Sequence, residues 1–226
     1  MKIEINKVYN CDCRILMEEM MRQNIKADWL ITDPPYGIGE DGGKNATRGS
    51  KKVLATEYVS KNWDKERITR DYFDLMFKAS KNQIIFGGNY YSDILPPTKN
   101  WIVWDKRCSE KQKNDFSDFE MAWASTGGAR MFRYLYNGML QGDMQNKDKR
   151  IHPTQKPTQL WYMLLNYYTK PNDLILDPFM GSFTTAETCL KSGRAFLGAE
   201  LDEDYFKAGS DRINALKAQI SMFKEI

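Results

Sequence analysis

The chain has 226 residues, of which 42% are hydrophobic and 28% charged, with a formal net charge of +3. No apolar run is long enough to cross a bilayer, and residues 1–6 alternate apolar and charged side chains without the stretch a secretory leader needs, so a cytoplasmic protein of one domain over residues 1–226 is expected. One histidine, four cysteines and no C-x-x-C pair argue against a zinc site, and reduced structural thiols are the expectation for Cys11, Cys13, Cys108 and Cys189.

Short apolar runs alternate with amphipathic stretches, the pattern of a mostly parallel sheet with helices on both faces. In chain order the pattern predicts a strand at Ile3–Tyr9, a helix at Arg14–Gln23, a strand at Trp29–Thr32, a helix at Asp71–Ser80, and strands at Gln83–Phe86, Trp101–Trp104 and Phe119–Ala124. It continues with a helix at Pro157–Tyr168, a strand at Leu174–Asp177, a helix at Thr184–Lys191, a strand at Ala195–Ala199 and a helix at Asp204–Phe223. That is a seven-stranded α/β sheet. Residues 37–61 and 137–151 fit neither period and read as long loops, which in a compact domain are usually functional or disordered. Basic residues crowd into Lys44–Lys52, Lys61–Arg70, Lys106–Lys113 and Lys147–Arg150. Charge runs of this kind are either solvated surface or a footprint for nucleic-acid phosphates.

Two segments carry candidate chemistry. In the first, the apolar strand Trp29–Thr32 ends in Asp33-Pro34-Pro35-Tyr36. The prolines fix φ and donate no N–H, leaving a stiff backbone with free carbonyls, and ligands of open α/β sheets bind at the carboxyl ends of strands. Such a wall suits methylation of an exocyclic base amine, whose lone pair is delocalised into the ring. Acceptors on Asp33 and the Pro34 carbonyl would hold the amine hydrogens, and Tyr36 would stack on a base swung out of the duplex. The plain alternative is an Asp-Pro turn with an exposed tyrosine.

In the second, Leu174–Asp177 runs into Pro178-Phe179-Met180-Gly181-Ser182-Phe183-Thr184, a strand, tight turn and helix start. Glu200 closes the following strand about 20 residues past the glycine turn, the placing of an acid that takes ribose hydroxyls. This turn does not carry the dinucleotide fingerprint G-x-G-x-x-G, and the chain has no phosphate loop G-x-x-x-x-G-K-[ST], which argues against NAD at this site and against nucleotide triphosphate hydrolysis. A well-capped α/β turn without a ligand is the alternative.

Together these motifs resemble the β class of DNA amino-methyltransferases, which have a Rossmann-like methyltransferase fold and place the Asp-Pro-Pro-Tyr motif before the cofactor motif, as Asp33 precedes Asp177 here. His152-Pro153-Thr154-Gln155-Lys156-Pro157 resembles the family's segment ahead of the cofactor strand, and Asn10-Cys11-Asp12 its N-terminal segment, although Asp12 also reads as an ordinary helix cap. The resemblance implies S-adenosylmethionine as cofactor, held by Asp12, His152, Thr154, Lys156, Asp177, Phe179, Gly181, Ser182, Thr184 and Glu200. It implies catalysis at Asp33, Pro34, Pro35 and Tyr36 without a metal, and double-stranded DNA as partner, with residues 37–61 and 137–151 as recognition loops.

Within that family an aspartate at the head of the tetrapeptide leans toward adenine N6, a serine toward cytosine N4. Adenine N6 is therefore expected, in a restriction-modification setting, with cytosine N4 or RNA adenine as alternatives and homodimerisation as a class tendency. The family's cofactor turn usually reads Gly-Ser-Gly-Thr-Thr, but Phe183 stands in place of the second glycine. Either it takes a positive φ that strains a phenylalanine, or it packs over the ligand. Phe183 also motivates a second kind of protein, a non-catalytic nucleic-acid binder on a degenerate methyltransferase fold.

Overall fold

The computed structural model describes residues 1–40, 61, 63–108, 117–137 and 140–224. Residues 41–60, most of the first expected loop and its Lys44–Lys52 cluster, lie outside the described residues. The strands are β1 (Lys7–Asn10), β2 (Ala27–Thr32), β3 (Ser80–Phe86), β4 (Trp101–Asp105), β5 (Phe119–Ala124), β6 (Arg130–Arg133), β7 (Tyr136–Asn137), β8 (Leu140–Gln141), β9 (Leu174–Asp177) and β10 (Ala195–Glu200). The helices are α1 (Cys13–Arg22), α2 (Arg70–Ala79), α3 (Thr158–Tyr168), α4 (Thr184–Ser192) and α5 (Glu203–Lys224).

The fold is α/β, but the main sheet has eight strands among the described residues, in the order β1-β10-β9-β2-β3-β5-β4-β6, not the seven expected. The addition is β6, Arg-Met-Phe-Arg, which pairs with β4 alone. Three of its four residues are exposed, so it lacks the apolar run that marks the buried strands and carries the charges usual on a sheet edge. Its neighbour in sequence, the pair β7–β8, converts part of the expected 137–151 loop into a hairpin. The first strand starts later than expected, because Asn6 has φ 64° and its backbone leaves the extended region before Lys7. Every pairing in the sheet is parallel except those of β5, which runs antiparallel to β3 and β4.

Alternation along the strands splits the interior into two layers. Trp29 and Ile31 of β2 face one layer with Leu160, Trp161, Leu164 and Leu165 of α3 and Ala186 of α4. Leu30 faces the other, with Leu16, Met17 and Met20 of α1 and Phe73 and Met76 of α2. The helices thus cover both faces. The parallel central strands have to be apolar on both sides, which is why they were readable as runs.

Strands β2 and β9 are neighbours in the middle of the sheet. From β9 the chain proceeds outward to β10, and from β2 it proceeds the other way to β3. This reversal is the topological switch point at which open α/β sheets bind ligands. The Thr32 hydroxyl donates to Asp177 Oδ1 at 2.7 Å, tying the two strand ends together just where the two candidate motifs begin.

Candidate active site

Asp33 leaves the end of β2 with its side chain 19% exposed. The Tyr36 hydroxyl donates to Asp33 Oδ1, so the tetrapeptide folds back on its own acid. The Tyr36 ring stacks on Tyr90, with centroids 4.8 Å apart and planes 18° from parallel, and meets Tyr91 edge-on. Tyr91 in turn donates its hydroxyl to the Pro35 carbonyl. The loop after Tyr36 is pinned by Asp64, whose carboxylate accepts from the N–H groups of Tyr36 at 2.7 Å and of Gly37 and Glu40 at 2.8 Å. Gly87, at the end of β3 with φ +66°, permits this arrangement, since a Cβ there would lie 2.0 Å from the Tyr36 ring.

Lys156 is 8% exposed and pairs with two carboxylates, Asp33 and Glu120. The sequence places it with the cofactor group, and the structure brings its ammonium to Asp33. Glu120, on β5, also pairs with Lys106 at 3.0 Å. Burial pushes the Asp33 pKa up, opposed by Lys156 and reinforced by Glu120, and the net shift is upward. For Lys156 burial works against the charge, but the two anions outweigh it and its pKa is raised. Burial also opposes the charge of Glu120, where Lys156 and Lys106 prevail and its pKa is lowered.

Across the switch point, Asp177 is 3% exposed. It accepts from Thr32, from Thr185 Oγ1 at 2.5 Å and from the Phe179 N–H at 3.2 Å. These three donors turn it into a brace for the turn, while burial lifts its pKa to about 7 against them. Gly181 has φ +51°, and a Cβ there would meet only His152, at 3.8 Å, so the backbone over the turn is open to a ligand. Its N–H donates to Glu200 Oε2 at 2.7 Å, while Oε1 accepts from Asp202 N–H at 2.9 Å. Burial pushes the Glu200 pKa up to about 7, against the backbone donors of Asp202 and Gly181. Ser182 and Thr184 are buried and bond each other at 2.8 Å. The Phe179 ring is half-buried beside Tyr72. Asp12 caps α1, accepting from Arg14 N–H at 2.9 Å and from its guanidinium at 2.7 Å.

Phe183 takes φ 61° as the residue ahead of α4 and is 1% exposed. Its ring turns away from the cleft into the core, beside Phe206, in space left by Gly209 of α5, where a Cβ would come within 2.3 Å of it. The expectation of a positive φ is the one that holds. The ring does not pack over the ligand site.

His152 sits between Trp63 (5.0 Å) and Tyr205 (4.3 Å), with Nδ1 facing the Thr154 N–H and hydroxyl. Burial lowers its pKa to about 3, helped by Lys156 and Lys61 and opposed by Asp202. An unfolded histidine takes up its proton near pH 6.5, so the folded state loses stability as pH falls from there toward 3. His152→Gln is expected to remove about 2 kcal/mol of acid sensitivity between about pH 7 and about pH 5. Denaturant titrations of both proteins at the two pH values check this, and parallel losses in the two would disprove it.

Asp33, Tyr36, Glu120, Lys156, His152, Asp177, Gly181 and Glu200 border a single cleft of about 1920 Å³ that runs from Asp12 and Glu200 past Gly181 to Asp33 and on to Trp104, Tyr136 and Arg150. The Trp63 indole N–H, in the cleft wall, is buried with no hydrogen-bond partner among the described residues. Lys61, also on the rim, reaches Asp202 and Asp204 at 2.6 Å each. Glu120, Lys106, Asp64, Gly87, Tyr90 and Trp63 were missed in the sequence. A carboxylate inside the apolar strand Phe-Glu-Met-Ala-Trp-Ala was the available signal for Glu120. Among the described residues no group of three or more His, Cys, Asp or Glu is placed to hold a metal ion, and no helix is long and apolar enough to cross a membrane.

A family model described as DNA methylase, of the N6 and N4 type, matches residues 87–211. The chain is 44% identical over 197 residues to a protein of Escherichia coli (strain K12) named "Putative methylase YubD", covering 84% of this chain and 83% of that one. Among solved structures, the M1.HpyAVI–SAM complex superposes with a TM-score of 0.59 at 24% identity, over 92% of this chain and 98% of that chain. The PvuII DNA methyltransferase, described as cytosine-N4-specific, superposes with a TM-score of 0.54 at 14% identity, over 90% and 84%.

Proposed function

Because the chain belongs to the N6/N4 DNA methylase family, we propose that it transfers a methyl group from S-adenosylmethionine to the N6 amine of adenine in double-stranded DNA. The observation that carries this is the meeting of the two motifs at the switch point, with Asp33 and the Gly181 turn opening on one cleft. The cofactor fits the residues present. The backbone over Gly181 is open, Glu200 stands at the rim for ribose hydroxyls, and the Trp63 N–H, without a hydrogen-bond partner among the described residues, lies in the wall near His152. Asp12, His152, Thr154, Phe179, Ser182 and Thr184 would frame the same pocket, with Asp177 bracing it. When bound, S-adenosylmethionine supplies an electrophilic methyl group on its sulfonium.

The protein's part is positional. Asp33 and the Pro34 carbonyl accept the two amine hydrogens, aiming the nitrogen lone pair into the cleft. Tyr36, held by Tyr90 and Gly87, offers the aromatic surface for a base turned out of the stack. The hairpin and loop through Arg150, with exposed Lys147 and Lys149, lie beside the mouth and suit phosphates; residues 37–61 are the second recognition element. The aspartate at position 33 supports adenine, and cytosine N4 is the second reading, favoured by the shared fold with a cytosine-N4-specific enzyme.

Incubating the protein with S-adenosylmethionine and unmethylated duplex DNA, then identifying nucleosides by mass spectrometry, separates them. N6-methyldeoxyadenosine is expected; N4-methyldeoxycytidine would move the target, and no product on duplex DNA, single-stranded DNA or RNA would overturn the proposal. Gly87→Ala is expected to displace the Tyr36 ring and slow single-turnover methylation by up to about 100-fold, with cofactor affinity changed by no more than about twofold by calorimetry. Unchanged turnover would mean that the Tyr36 ring position is irrelevant.

A further inference from the structure

Glu120 lies outside both motifs, yet its carboxylate shares Lys156 with Asp33. Its two oxygens differ. Oε1 accepts from Lys106 at 3.0 Å. Oε2 is buried and accepts no hydrogen bond from any described residue, although it stands 3.2 Å from Lys156 Nζ. The Lys156 ammonium donates to Asp33 Oδ2 and, with three N–H groups, has donors to spare for Glu120. Because Oε2 already lies 3.2 Å from Nζ, a small rotation about the end of the Lys156 side chain is enough to turn a well-aligned N–H onto it.

Asp33 presents the complementary difficulty. Tyr36 bonds Oδ1 and Lys156 bonds Oδ2, and although each oxygen keeps a second lone pair, a target amine approaching a carboxylate only 19% exposed competes with them for its place. If Lys156 left with no second anion, an ammonium only 8% exposed would be stranded without a partner, an expensive state. We propose that Glu120 is a positioning residue that receives the Lys156 ammonium when the target amine takes its place on Asp33 Oδ2. Lys156 stays protonated and paired throughout, no covalent bond changes, and Lys106 holds the Glu120 carboxylate in place. This rests on the proposed reaction at Asp33.

The groups facing Asp33 are Tyr36 in its own loop, Lys156 ahead of α3, Glu120 on β5 with Lys106 behind it, Tyr91 after β3 and Asp177 on β9, with His152 beyond Lys156. Of these, Glu120 is the anion whose charge holds the Asp33 proton on, and Lys156 the cation that drives it off. Glu120→Gln therefore lowers the pH at which Asp33 titrates, while leaving Lys156 fixed on Asp33.

The test compares wild type, Glu120→Gln and Glu120→Asp. It follows single-turnover methylation at saturating DNA and cofactor across pH, cofactor affinity by calorimetry, and titration of the Asp33 carboxyl carbon by NMR. Glu120→Gln is expected to slow turnover about tenfold or more, to move the acid limb to lower pH, and to leave cofactor affinity within about twofold. Glu120→Asp is expected to recover part of both rate and limb. Wild-type turnover in Glu120→Gln, or a loss that Glu120→Asp does not mend with the acid limb unmoved, would overturn the proposal. Should wild type methylate nothing, the reaction assignment fails separately, and the Asp33 titration still decides the pairing. A shift in Glu120→Gln supports it, and no shift refutes it.

Discussion

Asp33→Ala is expected to lower kcat/KM for methyl transfer by about 1000-fold or more, on the scale lost when one polar group that orients or stabilises the reacting centre is removed. The amine would keep only the Pro34 carbonyl and would lose the acceptor that fixes its lone pair. The fold is expected to survive. Asp33 lies past the last residue of β2, and Lys156 retains Glu120 as counterion, so no ammonium is orphaned. Cofactor affinity should stay near wild type, because the Gly181 turn is braced by Asp177 and Thr32 rather than by Asp33. Single-turnover assays with calorimetry and thermal melts check all three. A folded variant with near-normal turnover would remove Asp33 from the chemistry.

Phe183→Gly is expected to destabilise the protein rather than improve cofactor binding. Restoring the glycine usual in the family relieves a left-handed φ that costs a non-glycine residue about 1–2 kcal/mol. The ring, however, is 1% exposed and fills the space beside Gly209 and Phe206. Emptying such a site costs about 3–5 kcal/mol. The cavity term wins, and a net loss of about 2–3 kcal/mol should lower the melting temperature by roughly 4–12 °C. Since the ring points away from the cleft, cofactor affinity is expected to change little. A variant that is more stable, or that binds the cofactor tenfold tighter, would show that strain at Phe183 had been limiting. The buried ring also weakens the case for a degenerate, ligand-free fold, because Phe183 leaves the cleft open.

The central strands and the five α-helices of the described residues were legible because parallel strands covered on both faces have to be apolar runs and the helices carry a 3.6-residue period. Strand β6 was not, since an exposed edge of Arg, Met, Phe and Arg has neither signature. Asp33, Tyr36 and Gly181 were legible because their motifs combine rare residue types at strand ends. The partner of Lys156 was not. Its side chain is aimed by the turn ahead of α3, and a strand with an antiparallel register sets Trp104 opposite Glu120, neither of which a linear spacing encodes. Asp177 was legible as a position, but its task as a brace depended on Thr32 and Thr185 converging on it from other elements.

The Thr32–Asp177 contact joins residues 145 positions apart in the chain. Loop closure over such a span is slow to be rewarded, so the middle of the sheet is the part a growing chain completes late. Until β9 has been synthesised, β2 presents a bare ladder edge of apolar sequence, a template for mispairing with another nascent chain. The placement that brings the two motifs together thus also sets the stage of biogenesis at which the protein is most exposed to aggregation.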